Sequence, residues 1–314
     1  MKIKKLFLFI LFAVAVIFIM LLFTPNKHIE NLVENATVNI GNYISTYFYN
    51  YALSVLDKQT FSYELKDTVF VRNLPSSIPF NQELYDRLIE NGFTKESVKN
   101  LHGGCAECIW HTETDELHNF WSILKPTIHS IMDNAFVQSG IFITGKNPVL
   151  HFRCADTPFA RNPHYHFQRY EFYKKALEKG ESITNKKYDR LNILYCNKHQ
   201  SGEKEKKSCT VYLNSLKDYI ENIGYSVEVE CGSNIEDFAK IFYAPISISN
   251  GSSFAFMSGF FGKGAFISTA HQSENNPETK CEACNKWAIP GYNILHSEAE
   301  DYYHTDSIIS MLHK

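Results

Sequence analysis

From Ile141 onward, apolar positions fall into short buried runs separated by longer amphipathic stretches. The pattern predicts strands at Ile141–Thr144, Val149–Phe152, Leu191–Cys196, Ser226–Glu230, Ile246–Ser249 and Ala265–Ser268. It predicts helices at Phe167–Lys179, Cys209–Ile223, Ile235–Tyr243 and Ser253–Phe261. Strands alternating with helices make a parallel sheet covered on both faces, an α/β fold. The first half reads differently. A short strand is expected at Thr68–Arg72, and a helix carrying Leu84, Leu88 and Ile89 should end at Gly92. Thr94 suits the cap of another short helix, and Thr114 caps a long one. The apolar face of the long helix is Leu117, Phe120, Trp121, Leu124, Ile128, Ile131 and Met132, and Pro126 should kink it. The charged run from Gly202 to Ser208 reads as a solvated loop.

The N-terminus has a pattern of its own. Lys2, Lys4 and Lys5 precede an unbroken apolar run from Leu6 to Phe23. That run approaches the ~20 residues that cross a bilayer, and the preceding lysines favour a cytoplasmic N-terminus. Thr24-Pro25-Asn26 is a poor cleavage site, so an anchor is favoured over a removed signal peptide. The expected layout is a cytoplasmic tail (1–5), a transmembrane signal anchor (6–23), a stem (24–59), a first domain (60–145) and a second, α/β domain (146–314). This is a single-pass type II protein of the endoplasmic reticulum or Golgi membrane, its bulk in the lumen.

Composition narrows the function. A net charge of −3 over 314 residues lacks the basic balance of a nucleic-acid binder. The eight cysteines are even in number and suit an oxidising lumen. Cys105/Cys108 and Cys281/Cys284 form two C-x-x-C pairs, read as disulfide candidates, with a zinc-stabilised interaction module as the alternative. Asn35-Ala36-Thr37 and Asn250-Gly251-Ser252 are glycosylation sequons, of which only Asn35 is expected to be used.

Two stretches carry candidate chemistry. Val149 and Leu150 lead into His151, Arg153 and Asp156, with Arg161, His164 and His166 in the loop beyond. Farther on, a buried strand runs into Asn250-Gly251-Ser252-Ser253-Phe254 and a helix. An arginine fork matches phosphate oxygens, and a serine-flanked helix start adds N–H donors. With both at strand ends of one sheet, the pair describes a clamp for a nucleotide diphosphate. There is no Walker loop and no G-x-G-x-x-G, which turns the reading away from ATP cleavage and nicotinamide chemistry. Asp115-Glu116, the nearest acidic pair, is explained as a helix start.

His151-Phe152-Arg153-Cys154-Ala155-Asp156 resembles the H-x-R-x-x-D motif of the α1,2-, α1,6- and protein O-fucosyltransferase superfamily. The Ser252-Ser253-Phe254 turn resembles that superfamily's later donor-site motif, and order and spacing agree. The resemblance implies a GT-B-like fold of two Rossmann-type domains, a GDP-fucose donor, inversion at the anomeric carbon and no required metal or cofactor. Carried over by position, Arg153 would bind the diphosphate, His151 would lie against the nucleoside, and Asp156 would orient Arg153. Ser252, Ser253 and the Phe254 N–H would take the β-phosphate. Cys154 stands where many members carry a second basic residue, and Tyr195-Cys196-Asn197-Lys198 where many carry an acidic one. His164, His166 and Asp156 are the candidate bases, with Glu107, His111 and Glu113 in the first domain. Trp110, His111 and Trp121 would line the acceptor side. The expected partners are a nucleotide sugar and a glycan or glycoprotein acceptor. Alternatives are another nucleotide-sugar donor, or a lumenal glycan-binding protein without turnover.

Overall fold

The structure is a computed structural model that describes residues 40–65, 69–101, 114–154, 158–159, 166–196, 202–269, 288, 292–295 and 297–314. Helix α1 (Ile40–Leu56) opens the described chain and is buried almost all round, with Tyr43, Ile44, Tyr47, Phe48, Tyr51, Ala52 and Val55 in the core. A helix apolar on every side belongs inside a fold, so the second half of the expected stem is instead a central element. The hairpin β1 (Phe61–Ser62) and β2 (Ser77–Ile78) flanks a single turn, α2 (Val69–Arg72). A strand was expected at α2. Phe70 and Val71 are adjacent and both fully buried, which a half-exposed strand cannot achieve because neighbours alternate between faces.

Helix α3 (Gln82–Glu90) is capped by Asn81, whose Oδ1 accepts from Leu84 N at 2.9 Å, and it stops before Gly92 with φ 81°. Thr94 and Ser97 form a capping box on α4 (Lys95–Asn100). Thr114 caps α5 (Asp115–Gln138) through Leu117 N at 3.2 Å, and Pro126 lies inside this helix.

The second half is built on one parallel sheet. Its strands are β3 (Val149–His151), β5 (Arg190–Leu194), β6 (Ser226–Glu230), β7 (Ile246–Ser249) and β8 (Ala265–Ser268). The spatial order is β6-β5-β3-β7-β8, every pair parallel, which is a Rossmann-like order. A separate two-stranded ladder joins β4 (Phe167–Gln168) to β9 (Asn293–Ile294). Four helices connect or close the sheet region: α6 (Tyr170–Thr184), α7 (Glu203–Asn222), α8 (Asn234–Tyr243) and α9 (Ser253–Gly259). Helix α10 (Thr305–Leu312) ends the fold. One sheet face carries Leu150, Ile193, Ile246, Ile248 and Ile267 against α6, α7 and α10. The other carries Val149 and Leu194 against Ile241 and Ala244 at α8 and Ala255 of α9. All four residues of β7 are buried, as a central parallel strand requires.

Four further expectations about elements are corrected. Residues 141–144 form no strand: Ile141 N bonds back to Phe136 O at 3.0 Å and Phe142 is 79% exposed. Strand-like residues without a partner strand do not make one. Residues 167–168 pair with β9, so the following helix begins at Tyr170. The charged run beyond Gly202 is the first turn and a half of α7, where Glu203 and Glu205 suit the helix N-terminus and Lys206 pairs with Glu203 at 2.9 Å. Lastly, the first half holds no second parallel sheet among the described residues; it is helical apart from the β1–β2 hairpin.

Packing crosses the expected boundary at 145/146. Phe136 meets Phe242 at 5.2 Å, the Tyr243 hydroxyl donates to Asp133 at 2.6 Å, and Trp121 meets Phe261 at 5.5 Å. Trp121 is therefore a core residue, fully buried, and not part of a cleft wall. Among the described residues no helix is long and apolar enough to cross a membrane; the run from Leu6 to Phe23 lies outside them.

Candidate functional site

The order of the sheet fixes where a ligand can sit. From β3 the chain proceeds outward through β5 and β6 on one side, then returns to build β7 and β8 on the other. Between β3 and β7 the connections diverge, and in open sheets of this order that switch point, beyond the C-terminal strand ends, is where ligands bind. Across that edge the register aligns Glu230, Leu194, His151, Ser249 and Ser268. The two stretches singled out from the sequence leave the sheet at these two central strands.

After β3, Phe152 is buried, and its N–H bonds to Leu194 O at 3.1 Å. Its ring stacks on Phe167 at 6.1 Å and meets Tyr195 at 5.9 Å. Arg153 follows, half-buried, and Cys154 is disulfide-bonded to Cys209 of α7. The position that many of the resembled enzymes give to a second basic residue is here a staple. After β7 comes Asn250, 2% exposed, and then Gly251 with φ 98°, a left-handed conformation that glycine adopts without cost. Arg153 N donates to Asn250 Oδ1 at 3.0 Å, and Asn250 Nδ2 donates to Arg153 O at 2.9 Å. The asparagine side chain thus ties the two loops together as one more rung of the β3–β7 ladder. Burial of Asn250 and use of its amide nitrogen leave no room for a glycan at this sequon.

His151 is half-buried, its ring 5.3 Å from that of Phe254 and tilted by 32°. Phe254 is held edge-on by Phe238 of α8 at 5.0 Å. Ser249 Oγ accepts from Gly251 N at 3.2 Å, and Ser249 O accepts from Ser268 Oγ at 3.2 Å. Ser252 takes the N-cap position of α9 with an extended backbone, but its side chain makes no capping bond. Both Ser252 and Ser253 are buried, at 4% and 3% exposure. Helix α1 accounts for part of this: a Cβ on Gly41 would stand 2.4 Å from Phe254 N and 2.5 Å from Ser253 C. The first turn of α9 is therefore walled by α1, while His151, Arg153, Gly251 and Phe254 stay half-exposed.

His166 is buried beside β4, at 3% exposure. Asp156, Arg161 and His164 lie outside the described residues, as do Glu107, Trp110, His111, Glu113, Asn35, Cys105, Cys108, Cys281 and Cys284. Among the described residues no group of three or more His, Cys, Asp or Glu side chains is arranged to hold a metal ion. An open cleft of about 500 Å³ lies on the helical part, lined by Asn91, Phe93, Asp115, Glu116, His118 and Asn119.

The neighbouring strand ends are cross-linked too. Cys196, two residues past β5, is bonded to Cys231, the first residue after β6. Gly232 N donates to both carboxylate oxygens of Asp237 at 3.2 Å, and Lys240 Nζ bridges Asp237 Oδ1 at 3.4 Å and Glu230 Oε2 at 2.7 Å. Burial pushes the Asp237 carboxyl above the usual carboxylate range, against the pull of Lys240 and the Gly232 N–H.

Neither models of known protein families, nor curated proteins, nor solved structures give a match to this chain. His151, Arg153 and the Gly251-Ser252 turn, singled out from the sequence, lie at the ends of the neighbouring strands β3 and β7. Sequence reasoning missed the role of Asn250, whose signal is an Asn-Gly pair directly after a buried strand. It also missed both cysteine pairings, which spacing alone does not determine.

Proposed function

We propose that this chain is a glycosyltransferase that uses a nucleotide sugar, its diphosphate held at the β3–β7 switch point. The observation that carries the reading is the meeting of two motifs about a hundred residues apart, joined by the reciprocal Arg153–Asn250 hydrogen bonds. Switch points of Rossmann-like sheets are where nucleotides bind, and an arginine there has the geometry for phosphate oxygens. The resemblance to fucosyltransferases makes GDP-fucose the proposed donor and inversion the proposed course. The helical first half would take the place of the second Rossmann-type domain of a GT-B enzyme and present the acceptor, and the cleft beside Asp115 and His118 is a candidate surface for it.

In this reading an acceptor hydroxyl oxygen attacks the anomeric carbon as the bond from that carbon to the β-phosphate oxygen breaks. The departing diphosphate gains charge, and the Arg153 guanidinium offsets it. His151, steadied by Phe254, lies against the nucleoside. The hydroxyl proton passes to Asp156, His164 or His166. The buried hydroxyls of Ser252 and Ser253 would act by shaping the turn, leaving Gly251 and Arg153 to face the phosphates. The proposed setting is a secretory-pathway membrane, and the two disulfides of the described residues suit its oxidising lumen.

The test is a donor screen. The protein is incubated with GDP-, UDP- and CMP-sugars and a mixed glycan acceptor, and release of the free nucleotide is followed. Release from GDP-fucose that disappears in Arg153→Ala is the expected result. Release from a UDP- or CMP-sugar alone removes fucose, and release from none of them rejects the transferase reading.

A further inference from the structure

The two disulfides differ in what can reach them. Cys154 and Cys209 are 2% and 0% exposed, within the core between β3 and α7. Cys231 is exposed and Cys196 half-buried beneath it, at the C-terminal edge of β5 and β6. An attacking thiolate needs access to one sulfur, and the reaction is eased when the other is a good leaving group. Cys231 offers the access. On the far side, Asp237 Oδ2 lies 3.6 Å from Cys196 Sγ. Asp237 itself is only 7% exposed.

We infer that Cys196–Cys231 is a thiol-exchange site, at which a low-molecular-weight thiolate attacks Cys231 Sγ and Asp237 delivers a proton to the departing Cys196 sulfur. One S–S bond breaks and one forms. The external sulfur becomes joined to Cys231, the electron pair of the broken bond goes to Cys196 Sγ, and the Asp237 carboxyl proton converts it to a thiol. The raised Asp237 carboxyl keeps that proton to a higher pH than an exposed aspartate would. Burial raises it first; of the described residues around it, Lys240 on its own helix and the Gly232 N–H lower it, Glu230 on β6 raises it, and Glu236 is engaged in the Ser233 cap. Once Asp237 is ionised, the emerging thiolate would face a like charge at 3.6 Å. Opening the bridge frees Cys196 from Cys231 after β6, and the adjacent Tyr195 packs on Phe152 next to Arg153. The inference stands apart from the glycosyl-transfer reading.

The experiment uses the full chain and reduced glutathione from pH 5 to pH 9. Aliquots are quenched with N-ethylmaleimide and the cysteines are mapped by mass spectrometry, with rates corrected for the thiolate fraction of glutathione. The expected product carries glutathione on Cys231 and a free thiol on Cys196, formed at least ~10-fold faster than Cys154–Cys209 opens. The corrected rate should fall as pH rises through the Asp237 titration and become flat in Asp237→Asn. Opening of Cys154–Cys209 first, glutathione on Cys196, or a flat profile in the unsubstituted protein would each overturn the inference. The last of these needs no variant to fold, and an unchanged profile in a folded Asp237→Asn protein overturns it as well.

Discussion

The side-chain amide of Asn250 holds the backbone of Arg153 from both sides, accepting from its N–H at 3.0 Å and donating to its carbonyl at 2.9 Å. An asparagine side chain has the same donor and acceptor as a peptide group, so it extends the pairing of β3 with β7 beyond the last backbone rung. The arginine's position thereby depends on a residue 97 places away in the sequence.

Asn250→Ala should therefore lower stability and displace Arg153 together. Loss of two part-buried bonds, with the Arg153 backbone groups left to find new partners, costs about 1–3 kcal/mol. Urea unfolding measures the loss, and nucleotide titration of the folded variant should show weaker binding than in the unsubstituted protein. Asn250→Asp should do no better at neutral pH, since a carboxylate can accept from Arg153 N but has nothing to donate to Arg153 O.

Gly41→Ala tests the wall that α1 makes for the first turn of α9. The added Cβ would meet Phe254 N at 2.4 Å, a backbone atom that cannot swing aside. Separating the helices should cost about 1–3 kcal/mol, as overpacked core positions do. The midpoint of denaturant unfolding checks it.

Much of this architecture is legible in the sequence. β3, β5, β7 and β8 announce themselves as short apolar stretches and β6 as an alternating Val-Glu strand, and the caps Thr94 and Thr114 are where their residue types place them. The failures share a cause: a tertiary partner, or its absence, overrides the local pattern. Ile141–Thr144 has strand residues and no neighbour to pair with. Phe70 and Val71 look like a strand and are drawn into a turn of helix by a core that needs both. α1 looks like a polar stem with scattered aromatics until the hydrophobic partners that bury Tyr47, Phe48 and Tyr51 are known. Arg153 and His151 were visible as chemistry. Asn250, which holds the Arg153 backbone, was visible only as part of a glycosylation sequon expected to be unused.

Removing the Cys154–Cys209 bridge by a double Cys→Ala substitution should destabilise the fold strongly. The bond closes a loop of 55 residues, for which chain-entropy reasoning gives about 4 kcal/mol. A lower urea midpoint in the double variant, with the Cys196–Cys231 bridge intact by peptide mapping, is the expected outcome.

Glu181 supplies a pH-dependent term. Burial alone would raise its carboxyl, but Lys187 Nζ at 2.6 Å, Tyr188 N at 3.0 Å and the Tyr225 hydroxyl at 3.0 Å more than offset this and hold it below the usual glutamate value. A group depressed in the folded state contributes stability that is present above its unfolded pKa and is lost as pH falls through the folded one. The loss should thus fall on the acid side of ~4.3, the ordinary glutamate value. Urea midpoints measured from pH 6 down to pH 2.5 should drop less steeply in Glu181→Gln than in the unsubstituted protein.

The central claim is that the β3–β7 switch point binds a nucleotide diphosphate through Arg153. Isothermal titration of the full chain with GDP, UDP and CMP, beside Arg153→Ala, tests it most directly. The account predicts saturable one-to-one binding of GDP that is lost in Arg153→Ala while the variant keeps its unfolding midpoint. Binding of no nucleotide, or GDP binding of equal strength in Arg153→Ala, would contradict it.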